Sequence, residues 1–85
     1  MVKSARFTKT FANAIEAQFS RGTVENILPE VPYYDITVQR REEKYSLRMG
    51  KNANGHWGIE DRLQLPLWVR DFEPEFIREL RQNER

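Results

Sequence analysis

Hydrophobic positions recur along this chain with two periods. Between residues 4 and 20, Phe7, Phe11, Ile15 and Phe19 return every fourth residue with Ala12, Ala14 and Ala17 beside them, which predicts one amphipathic helix. Ser4 is placed to cap its start and Gly22 to end it, and Thr23 to Leu28 read as a further helical turn stopped by Pro29 and Pro32. From Tyr33 the period becomes two. Tyr34, Ile36 and Val38 alternate with Tyr33, Asp35, Thr37 and Gln39, and after Arg40-Arg41-Glu42-Glu43 the alternation resumes with Tyr45, Leu47 and Met49. That is a hairpin with one buried face.

Residues 50–55 form a turn by composition, and Trp57 and Ile59 add a short third strand. Pro66 restarts the chain as a short helix carrying Leu67 and Trp68. Pro74 stands at a first helical position ahead of Phe76, Ile77 and Leu80. The expectation is an α+β fold: an N-terminal helix, a three-stranded antiparallel sheet and C-terminal helices packed on one face, with residues 1–85 forming one small domain.

Composition narrows the chemistry. There is no cysteine and one histidine, so thiol nucleophiles and thiolate metal sites are excluded. His56 has Glu60 and Asp61 as its nearest carboxylates in sequence, one residue short of a three-ligand metal site even with both a histidine and a carboxylate on one strand face. The glycines at 22, 50, 55 and 58 match no phosphate-loop spacing. The acid pairs Glu42-Glu43, Glu60-Asp61 and Glu73 with Glu75 are interleaved with arginine and read as solvated ion pairs worth ~0–1 kcal/mol each. The chain reads as a non-enzyme with no cofactor and no metal. The longest apolar run is Leu67 to Val69, and no signal-peptide core opens the chain, so the expected location is the cytoplasm, without membrane insertion.

Charge is where the sequence departs from an indifferent surface. The net charge of +1 divides into nine cations against six acids in residues 1–51 and five against seven in residues 52–85. Lys3, Arg6 and Lys9 would sit at a helix N-terminus, where cations are disfavoured by roughly 0.3–1 kcal/mol each. A partner is one reason to keep them there. The expected partner-binding surface joins Lys3, Arg6, Lys9 and Arg21 to Tyr33, Arg40, Arg41 and Arg48, with Lys44 and Lys51 nearby. The expected ligand is a protein, an acidic surface or a large complex; RNA or DNA gripped by the same basic half is the alternative.

Two resemblances bear on this. The expected element order resembles that of double-stranded RNA-binding domains, although their second helix opens on lysines and here Asp71-Phe72-Glu73-Pro74-Glu75 is acidic. Separately, Gln18-Phe19-Ser20-Arg21-Gly22 with Glu25, Pro29 and Val31, within residues 18–31 alone, resembles the opening motif of a small soluble photosystem II assembly-factor family of cyanobacteria and plastids. That resemblance implies a non-catalytic accessory protein docking on a large assembly. The functional expectation is therefore a protein–protein interaction module acting as an accessory, assembly or inhibitory factor.

Overall fold

The computed structural model describes residues 2–85, and it replaces the expected N-terminal helix with two strands. The chain runs β1 (Arg6–Phe11), a 3-10 turn (Ala12–Ala14), β2 (Ile15–Thr23), β3 (Pro32–Arg40), β4 (Glu43–Lys51) and β5 (Trp57–Ile59). A second 3-10 turn (Arg62–Gln64), the single-turn α1 (Leu67–Arg70) and α2 (Glu73–Asn83) follow. The strands form one five-stranded antiparallel sheet in the order β1-β2-β3-β4-β5. The fold is mostly sheet with a small helical part, so the expectation of a three-stranded sheet behind an N-terminal helix is wrong.

The reason lies in the spacing. A four-residue repeat satisfies a helical stripe, but four is also a multiple of two. Phe7, Phe11, Ile15, Ala17 and Phe19 all occupy odd positions, and the three-residue turn between strands preserves that parity, so all face the same side. Phe7 pairs with Phe19 across β1 and β2, their rings stacked at 4.5 Å, and Phe11 pairs with Ile15 beside the turn. Cross-strand aromatic and β-branched pairs of this kind favour sheet over helix. The even positions, Arg6, Thr8, Thr10, Glu16 and Gln18, are exposed on the other face. Gly22 does not end a helix; it lies within β2. The turn expected between Thr23 and Leu28 is an irregular loop, whose Leu28–Pro29 peptide is cis.

One face of the sheet is covered and the other is open. Phe19, Tyr34, Ile36, Val38, Met49 and Trp57 are buried beneath Val69, Phe76 and Leu80. Phe76 meets Phe19 edge-on at 6.0 Å and Phe11 at 5.8 Å, and Trp57 meets Tyr34 at 5.4 Å. Each such side chain contributes about 1.5–3 kcal/mol on burial. α2 carries Pro74 and two acids in its first turn and Arg81 in its last, which matches the helix dipole. Glu73 fixes its start: the Ile59 N–H donates to Glu73 Oε2 at 2.9 Å, tying β5 to the helix.

Candidate interaction surface

An antiparallel meander has two ends, and the register separates their contents. At one end lie the β1–β2 turn and the two-residue turn Arg41-Glu42. At the other lie the N-terminal segment, the long β2–β3 loop, the β4–β5 loop and the last turn of α2.

The second end is held by a polar network. Asn83, buried on α2, acts as a substitute peptide: its Oδ1 accepts from the Ser4 N–H at 3.0 Å, and its Nδ2 donates to the Ser4 carbonyl at 2.8 Å and to the Tyr34 hydroxyl at 2.7 Å. The Tyr34 hydroxyl in turn donates to Glu84 Oε2 at 2.5 Å, and Arg21 donates to both Glu84 oxygens at 2.6 and 3.2 Å. Burial and the bond to Glu84 push the Tyr34 phenol up to about 12. Burial pushes the Glu84 carboxyl up, but the hydrogen bonds from Arg21 and Tyr34 outweigh it and hold that carboxyl below its ordinary value. The network pins the chain termini against β2 and β3 and leaves the β2–β3 loop projecting beyond them.

That loop is apolar at its surface. Val24, Ile27, Leu28 and Val31 are all exposed, Ile27 at 46% and Leu28 at 91%. One backbone bond, Val24 N–H to the Val31 carbonyl at 2.9 Å, closes its neck. Its only charges are Glu25 and Glu30. Apolar residues gathered on one projecting loop, instead of scattered singly, are the kind of patch that marks an interaction site.

The open sheet face is polar. Asp35 lies opposite Ser20 and Arg48, and Thr37 opposite Gln18 and Ser46. Two shallow depressions of about 550 and 480 Å³ flank the shared residues Asp35 and Thr37. Tyr33 lies in a row with Gly22, Gly50 and Gly58. Its ring leans over Gly22 so closely that a Cβ there would come within 2.5 Å of it, and Arg48 stacks on that ring at 4.1 Å while pairing with Asp35 at 2.8 Å.

The structure divides the residues expected to bind a partner. Arg6, Tyr33 and Arg48 share the open face, and Lys3 is exposed in the N-terminal segment, its N–H bonded to the Asn83 carbonyl of α2 at 2.9 Å. Lys9 and Arg21 lie on the helix side, Lys9 at 3.9 Å from Glu79 and Arg21 engaged with Glu84. Arg40 and Arg41 stand at the opposite end of the sheet. Arg40 lies 4.1 Å over the Trp68 ring and pairs with Glu43 at 2.8 Å, holding that carboxyl below its ordinary value, whereas Arg41 is exposed in the turn. With no helix at residues 4–20, Lys3, Arg6 and Lys9 no longer oppose a helix dipole, and that reason for a partner disappears. His56 is exposed in the β4–β5 loop, its N–H bonded to Asn52 Oδ1. Among the described residues, no three His, Asp or Glu side chains are grouped to hold a metal.

Sequence reasoning missed the β2–β3 loop. The available signal was Ile27-Leu28 immediately ahead of Pro29, an apolar pair with no periodic neighbours to bury it. The chain matches no family model, no curated protein and no solved structure. Among the described residues, no helix is long and apolar enough to cross a membrane.

Proposed function

We propose that this protein is a protein–protein interaction module that docks through its β2–β3 loop and acts as an accessory or assembly factor on a larger complex. The observation that carries the reading is Leu28, 91% exposed among Val24, Ile27 and Val31 on a loop that the hydrogen-bonded sheet end holds clear of the body. A side chain of that size left in water forgoes about 1.5–3 kcal/mol that a partner's pocket would recover. Glu25 and Glu30 on the loop disfavour both nucleic acid and an anionic lipid surface at the same site.

Leu28→p-benzoylphenylalanine places a photo-crosslinker at the tip. The reading expects crosslinks to a defined protein in host lysate, competed by excess wild-type chain and not by the Leu28→Ser chain. Crosslinks to RNA or lipid alone, or no competed product, would overturn it; a competed RNA product would favour the nucleic-acid alternative.

A further inference from the structure

Two shallow depressions on the solvent side of α2 share Arg81 and Arg85. One, of about 350 Å³, lies between the helix end and the β4–β5 loop and is lined by Lys51, Gly55, Trp57, Arg81, Glu84 and Arg85. The other, of about 280 Å³, continues along the helix past Arg78 and Ile77. Arg78 and Arg81 fall at i and i+3 on α2, and Arg85, just past the C-cap Glu84, continues the row to about 10 Å and lines both depressions. Lys51 reaches the same cleft from β4, its Nζ 5.2 Å from the Trp57 ring centroid.

None of these four cations makes an ion pair with a described residue, while Lys9, Arg21, Arg40, Arg48 and Arg62 each do. Glu84 is the acidic residue in the cleft's lining; Arg21 and Tyr34 hydrogen-bond it, and Lys51 adds a weaker favourable charge interaction. The helix dipole accounts for a cation in the last turn, hence for Arg81, but not for Lys51 or for Arg78 a turn earlier. Cations converging from two elements around an already neutralised acid are complementary to an anionic ligand.

The anion's class follows from its surroundings. A stripe of about 10 Å matches some three residues of extended polypeptide at ~3.3 Å each. A phosphodiester track or an anionic leaflet would outreach a stripe of that length, and Glu25 and Glu30 stand at the same end of the sheet. A protein that offers an apolar pocket and an acidic segment meets both features. Resting on the interaction reading above, we infer that the cleft between Lys51 and the arginine stripe of α2 binds a short acidic segment of the same protein partner that receives Leu28.

The test titrates the full chain with a fluorescein-labelled poly-glutamate peptide. Single-stranded RNA of equal formal charge and vesicles containing phosphatidylserine serve as parallel probes. The peptide should bind saturably at low salt and weaken as salt rises. Arg78→Glu with Arg81→Glu should weaken it at least tenfold, and the charge-removing pair Arg78→Gln with Arg81→Gln should weaken it less. Arg41→Glu, at the opposite end of the sheet, and Leu28→Ser should leave it unchanged. Absence of peptide binding, equal loss in Arg41→Glu, or tighter binding of RNA or vesicles would overturn the inference. The two readings fail separately: a competed protein crosslink at position 28 without peptide binding removes the cleft alone, and peptide binding without such a crosslink removes the loop alone.

Discussion

Arg21 and Glu84, 63 residues apart, form a two-pronged pair at 2.6 and 3.2 Å that fastens the end of β2 to the last turn of α2. Both side chains are 17% exposed, so removing one leaves the other charge largely out of water. Arg21→Met should therefore lower stability by about 1–3 kcal/mol in urea unfolding. Because folding lowers the Glu84 pKa, its stabilisation is complete above the ordinary carboxylate range and is lost as pH falls through the lowered folded value. Glu84→Gln should show a shallower loss of stability on acidification than wild type; parallel curves would refute this.

Tyr34 gives the opposite sign at the other end of the pH scale. Its folded pKa of about 12 lies above the ordinary value of 10.0. Between those values the folded chain keeps a proton that the unfolded chain releases, so stability is complete below pH 10 and falls as pH rises, by up to ~1.4 kcal/mol per pH unit. Comparing melting temperatures of wild type and Tyr34→Phe across this range should show the variant losing less.

Two of the tight strand-to-strand turns, β1–β2 and β3–β4, place side chains in the left-handed region that suits glycine. Ala14 has φ 57° at the end of the three-residue β1–β2 turn, and Arg41 has φ 57° in the two-residue β3–β4 turn. Left-handed backbone costs an L-residue about 1–2 kcal/mol, partly offset by glycine's greater unfolded freedom. Ala14→Gly and Arg41→Gly should each raise stability by about 0.5–1 kcal/mol in chemical denaturation, whereas a drop on either substitution would count against the turn geometry.

Leu28 and Phe76 should separate docking from folding. Phe76 is fully buried against Phe11 and Phe19, so Phe76→Ala should cost about 3–5 kcal/mol. Leu28→Ser should change stability by less than about 0.5 kcal/mol while abolishing partner capture. A large thermal destabilisation by Leu28→Ser would mean that the loop is a structural element of the fold.

The limits of sequence reading show in particular residues. Tyr34, Ile36 and Val38 against Tyr45, Leu47 and Met49 were legible because strict alternation admits one local structure, and they form the buried face of β3 and β4. Phe7, Phe11, Ile15 and Phe19 were not, because spacing by four fits a helix and a strand equally. The Phe7–Phe19 stack, a non-local contact, decided for strand. The candidate site was less legible still. The basic surface expected in the first half is divided between two faces and two ends of the sheet, and four of its seven cations, Lys9, Arg21, Arg40 and Arg48, are paired with acids of the same chain that lie up to 70 residues away.

By itself, then, the sequence determined the local quantities: the alternation of β3 and β4, the amphipathic α2 with proline in its first turn, and the absence of thiol chemistry. Only the tertiary structure decided which charges are neutralised and which apolar residues stay in water. Ion pairing and burial depend on neighbours that chain folding brings together. Glu84 therefore satisfies Arg21, Arg81 makes no ion pair among the described residues, and Leu28 stands outside the core.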